Sequence, residues 1–137
     1  MPDGRTILVS ENRLLRDGIR QMLAGTPITI VGEGGDVHEL LAAVGADAQP
    51  ELVLYHVASG QHADAPLAAV RELHEHFDHA KLVILADQCA RPVLSVLLQA
   101  NVSAILFTCV SSDILERSLQ LVLSDHRLFP ADIMPLA

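Results

Sequence analysis

TILVSENRLLRDGIRQMLA, residues 6–24, changes its hydrophobic period midway. Thr6 to Ser10 is an almost unbroken apolar run, the pattern of a strand covered on both faces. From Asn12 onward Leu15, Ile19, Met22 and Leu23 recur at helical spacing, and Gly25 offers a stop. A strand buried on both sides and followed at once by an amphipathic helix is the opening unit of a parallel α/β sheet.

The same alternation returns four more times. Ile28 to Gly32 reads as a strand, and Asp36 can cap a helix through Ala46 that buries Val37, Leu40, Leu41 and Val44. Pro50 punctuates before the strand Glu51 to Val57. After the loop ASGQHADA a helix is predicted from Pro66 to Phe77, proline being tolerated at a helix start. Leu82 to Ala86 gives a fourth strand, Pro92 to Ala100 a helix, Ala104 to Phe107 a fifth strand, and Ser111 caps a last helix to Ser124. Right-handed crossovers leave few topologies for five such units. The expected fold is a flavodoxin-like, doubly wound (βα)5 parallel sheet with strand order 2-1-3-4-5. One domain over residues 1–129 is expected, with 130–137 (PADIMPLA) as the start of a linker.

Composition narrows the function classes. Half of the 137 residues are hydrophobic and 19% are charged, which is globular; aromatics are 3%, so the core must be aliphatic. A formal charge of -8 argues against this domain gripping a nucleic-acid backbone, which needs a basic face. Its densest basic set, Arg13, Arg16 and Arg20, fits a solvated helix face. The cysteines number two, as in a reducing cytosol, and neither a signal peptide nor a membrane-length apolar run is present, so a cytoplasmic protein is predicted.

In such sheets ligands sit beyond the carboxyl ends of the strands, where the winding direction switches. That crevice would be walled by Ser10, Glu11, His56, Ala86, Asp87, Thr108 and Cys109. The phrases NRLLRDGIRQML, ITIVGEGGDVHELL, PELVLYHV, KLVILAD and RLFP resemble the receiver domains of NarL/FixJ (LuxR-type) response regulators, over essentially the whole chain. The resemblance implies a phosphoacceptor aspartate ending strand three, an acidic Mg²⁺-binding pair after strand one, a hydroxyl residue ending strand four and a lysine ending strand five. This sequence departs at nearly every one of these positions. The acceptor position holds His56, the acidic pair is Ser10 and Glu11, the hydroxyl is Ala86, the lysine is Thr108, and the switch aromatic is Ile105. Mg²⁺ wants hard oxygen ligands including carboxylates, and phosphoryl transfer runs on positioned charge, so phosphorylation is not expected. The resemblance also implies a C-terminal helix-turn-helix beyond residue 137, through which alone DNA would be bound.

Other features have plainer explanations. The LHEHFDH stretch (73–79) lacks HExxH spacing and suits a solvated helix end, so no metal and no cofactor are expected. GEGG (32–35) lacks the GxGxxG spacing and suits a turn. Cys89 and Cys109 follow neighbouring strands and could form a redox pair, although no adjacent base would activate either thiol. The last two helices carry apolar residues around more than one face, leaving Val93, Val96, Ile114 and Leu121 for a homodimer surface or a regulatory protein partner. No nucleophile–base pair is legible, so an enzyme is not predicted. The expected function is an atypical receiver acting by phosphorylation-independent dimerisation or protein contact in a transcriptional regulator. The alternative is small-molecule or redox sensing through a crevice made less polar by Ala86, Thr108 and Cys109.

Overall fold

The computed structural model describes residues 4–45, 48–60, 62–87 and 91–130. Five strands alternate with five helices: β1 (Arg5–Val9), α1 (Arg13–Leu23), β2 (Thr29–Gly34), α2 (Val37–Val44), β3 (Leu52–Val57), α3 (Asp64–His76), β4 (Lys81–Ala86), α4 (Arg91–Leu97), β5 (Ala104–Phe107) and α5 (Ser112–Leu123). The strands form one sheet in the order β2-β1-β3-β4-β5, every pairing parallel. This is the expected doubly wound architecture.

Period-two alternation sorts the side chains into two cores. Val53, Tyr55 and Val57 of β3 face α2, α3 and α4, packing with Leu40, Val70, Leu73, Leu94 and Leu97. Leu52 and Leu54 face α1 and α5, packing with Ile19, Leu23, Leu115 and Leu119. All six residues of β3 are buried, which is why the strand reads as a continuous apolar run.

Side-chain caps hold three helix starts, two of them, Asp36 and Ser111, read from the sequence. Asn12, Asp36 and Ser111 each accept the backbone N–H three residues on, at 3.0, 2.7 and 3.3 Å. α3 begins at Asp64 rather than Pro66, since proline fits anywhere in a first turn whose N–H groups have no intrahelical partner. The GEGG segment is not a turn: β2 runs through to Gly34. Glycine is required there, because a Cβ on Gly34 would lie 2.6 Å from the Leu40 backbone nitrogen, where α2 closes onto β2. His74 is not simply solvated either; its Nε2 lies 3.0 Å from the Ala100 carbonyl and ties α3 to the segment after α4.

Val93 does not belong to the exposed surface. It is 7% exposed and sits in the core with Leu94 and Leu97, because a short α4 turns that side toward the sheet. Val96, Ile114 and Leu121 do stand out, at 40, 49 and 43%. Beyond α5 the chain returns along the free edge of β5. Ile105 N–H donates to the Leu128 carbonyl at 2.9 Å, and Phe129 packs against the core. Edge coverage of this kind blunts an unpaired strand. Of the expected linker only Pro130 is described. Among the described residues no helix is long and apolar enough to cross a membrane.

Candidate functional site

The carboxyl ends of β1, β3 and β4 converge because their registers are fixed upstream. Val9 pairs with Tyr55, and His56 with Leu85, so Ser10, His56 and Asp87 emerge side by side. Ser10 N–H is held by the Gly34 carbonyl at 3.0 Å and Asp87 N–H by the Val57 carbonyl at 3.2 Å.

A chain of hydrogen bonds links them. Asp87, ionised, can only accept, so His56 carries its proton on Nε2 and donates to Asp87 Oδ1 at 3.1 Å. His56 Nδ1 then accepts from the Ser10 hydroxyl at 2.9 Å, and Ser10 Oγ in turn accepts Asn12 N–H at 3.1 Å. Thr108 Oγ1 donates to Asp87 Oδ1 at 3.1 Å and Ser59 N–H to Oδ2 at 3.2 Å. Desolvation opposes the charge on Asp87, but the hydrogen bonds from His56, the Ser59 N–H and Thr108 together outweigh it and hold the carboxyl below its usual range.

Asp87 is the residue whose role sequence reasoning missed. It was legible as a wall of the crevice, but only folding shows it as the hub for His56, Thr108 and Ser59. The other expected positions scatter. Ala86 is fully buried beneath the sheet ends, and Ile105 lies in the core under α4, so neither lines the crevice. Cys109 is exposed; Cys89, its supposed redox partner, lies outside the described residues.

The order Ser10, His56, Asp87 is that of a hydrolase relay, a nucleophile–base pair that the sequence did not reveal. Its surroundings do not suit acyl transfer. Ser10 is 2% exposed, and four carboxylates line the adjoining cavity where an oxyanion would need donors. The arrangement works as a partly buried hydrogen-bond network joining β1, β3, β4 and the loop after β5.

Nor do these residues fit Mg²⁺. Both Asp87 oxygens and the Ser10 hydroxyl are engaged within the network, leaving Glu11 alone among these residues as a hard ligand. Among the described residues no three His, Cys, Asp or Glu are grouped to hold a metal ion.

Beside the network a cavity of 700 Å³ opens between α2 and α3. Its polar rim is Glu11, Asp36, His38, Glu72 and Asp87; Val9, Val37, Tyr55 and the alanines 65, 68 and 69 give it an apolar floor. Its rim is acidic, and Ala86, Thr108 and Cys109 do not line it.

No protein-family profile and no curated protein sequence matches the chain. Solved structures do. The isolated REC domain of RcsB from Salmonella enterica serovar Typhimurium, in the presence of the phosphomimetic BeF3-, superposes with a TM-score of 0.78 at 16% identity, covering 96% of each chain. RcsB in two dimers bound to two parallel DNAs gives 0.79 at 15% identity; 96% of this chain is covered, and it spans 65% of that one. A LuxR-family two-component response regulator from Aurantimonas sp. SI85-9A1 gives 0.75 at 18% identity, over 94% of this chain and 91% of that one. At such identities the likeness is one of fold: the chain is folded as the receiver domains of LuxR-type response regulators are.

Proposed function

We propose that this chain is a receiver-like signalling module of a transcriptional regulator that works without phosphorylation. One observation carries the reading. Where a phosphoryl group and its cation would sit, Ser10, His56, Asp87 and Thr108 already satisfy one another. A phosphoryl donor would meet a histidine whose two nitrogens are both engaged, with no lysine at Thr108 and one carboxylate, Glu11, for the metal. Phosphoryl transfer depends on positioned charge, and that field is missing.

Output is then a protein contact, and the reading favours a homodimer over a regulatory partner. Val96 of α4 and Ile114 and Leu121 of α5 are large apolar side chains at 40–49% exposure, on the two helices that flank β5 from opposite faces of the sheet. A patch of this kind suits an isologous interface across α4, β5 and α5. The segment around Leu128 covers the edge of β5 near Ala104 and Ile105, so the contact is made by helix faces rather than by added strands. DNA binding belongs to a helix-turn-helix following residue 137, since a domain of charge -8 repels a phosphate backbone.

Incubation with Mg²⁺ and acetyl phosphate, read by intact mass, tests the first claim: an unchanged mass is expected, and a phosphoryl adduct refutes it. Light scattering at micromolar concentration tests the second, a monomeric mass counting against the dimer.

A further inference from the structure

We infer that residues 125–129 form a latch that opens as a unit while the rest of the domain stays folded, gating the free edge of β5 and the point from which the chain continues. The inference holds whether or not the domain is phosphorylated or dimeric. It rests on the proposed function only in taking an output domain to follow.

The hinge is the first ground. α5 closes with Asp125 N–H donating to the Val122 carbonyl and His126 N–H to the Leu121 carbonyl, both at 3.0 Å. This closure puts the residue past the helix end in the left-handed region, a place glycine usually fills. Here it is Asp125, at φ 71°, a conformation costly for an L residue. Lys81 holds its carboxylate at 2.5 Å, but the Asp125 side chain is 79% exposed, and an exposed pair contributes little. The turn into the latch is strained and lightly tied.

Sparse tethers are the second ground. Leu128 makes a single residue of parallel pairing with Ala104: its N–H donates to the Ser103 carbonyl at 3.2 Å and its carbonyl accepts Ile105 N–H at 2.9 Å. Arg127 Nη2 donates to the Val102 carbonyl at 2.7 Å, and its guanidinium lies 5.4 Å from the centre of the Phe129 ring. Leu128 and Phe129 are only half-buried, one packing on each face of the sheet. β3 and β4, by contrast, pair over six residues with both faces covered.

A segment with few buried contacts and few hydrogen bonds opens below the free energy of global unfolding. Every tether here ends near the start of β4 or β5, so losing one loosens the others and the latch opens as one piece. Opening leaves Ile105 N–H and the Ser103 carbonyl unpaired, an exposed strand edge of the kind folds ordinarily cover.

Amide hydrogen exchange followed by NMR on the whole chain tests this. The Ile105 and Leu128 amides should share one protection factor, at least about tenfold below those of Leu54 and Ile84 in the centre of the sheet. Arg127→Ala removes a charge-assisted hydrogen bond and should lower the first two by about tenfold more, leaving Leu54 and Ile84 unchanged. Leu128→Pro, which deletes the N–H that bonds Ser103, should keep the circular dichroism spectrum of the folded domain while Ile105 loses its protection. The latch is refuted if Ile105 and Leu128 are as protected as Leu54 and Ile84, or if they exchange independently of each other. An equal loss at all four amides in Arg127→Ala, or unfolding of the domain by Leu128→Pro, would refute it as well, since the segment would then open only with the whole fold.

Discussion

Replacing Asp87 by alanine removes three hydrogen bonds, but the three lost partners differ in what they can recover. Ser59 N–H is exposed and Thr108 is half-buried, so both regain water. The His56 side chain is 5% exposed and cannot. An orphaned buried donor costs about 1–3 kcal/mol, and for a chain of this size a loss of about 2 kcal/mol lowers Tm by roughly 6–10 °C. Urea and thermal unfolding followed by circular dichroism should report that loss. In a double-mutant cycle with His56→Leu, the pair should be less destabilised than the sum of the singles by about 1–2 kcal/mol. A pH series gives an independent check. The Asp87 pKa is depressed in the folded state, so its stabilisation is complete above the ordinary carboxylate value near ~3.9 and is lost as pH falls through the lower folded value. Asp87→Asn should remove that part of the acid limb. Additivity within about 0.5 kcal/mol, together with an unchanged acid limb, would show that the network contributes nothing and that the site is occupied only in appearance.

Other expectations follow from the same geometry. His56→Asp alone should gain no phosphoryl adduct by intact mass, whereas Ser10→Asp, His56→Asp and Thr108→Lys together should gain one, because transfer needs the metal-binding acids and the lysine as well as an acceptor. Ile114→Glu or Leu121→Glu should shift light scattering toward monomer without lowering Tm, while Val93→Ala should cost roughly 1–3 kcal/mol of stability and leave association unchanged, since that residue lies in the core. Gly34→Ala should destabilise by roughly 1–3 kcal/mol, because its Cβ meets the α2 backbone and overpacking forces the helix to shift; denaturant midpoints would measure it.

Much of the candidate site was legible in residue types alone. That Ser10, His56 and Thr108 fall at the carboxyl ends of β1, β3 and β5 needs no coordinates; the resemblance to receiver domains is what implies an acid, an acid and a lysine there. What those residues do to one another is different. Ser10 and His56 are separated by 46 positions and His56 and Asp87 by 31, so no local spacing announces their hydrogen bonds. The acidic cavity was not legible for the same reason: Glu11, Asp36 and Glu72 reach its rim from three different elements.

Fold, by contrast, was determined locally. Strand runs buried on both faces, helical periodicity and the caps Asn12, Asp36 and Ser111 are short-range signals, and crossover handedness leaves a five-unit chain little choice of topology. Burial of individual surface residues was not so determined: Val93 and Val96 look alike on a helical wheel, and only the docking of a short α4 sends one into the core and leaves the other in solvent. Periodicity fixes which face of an element is apolar, because it is a property of the backbone repeat. How far that face is covered, and which distant polar groups meet at a strand end, depends on register and packing between elements, and these exist only once the chain has folded.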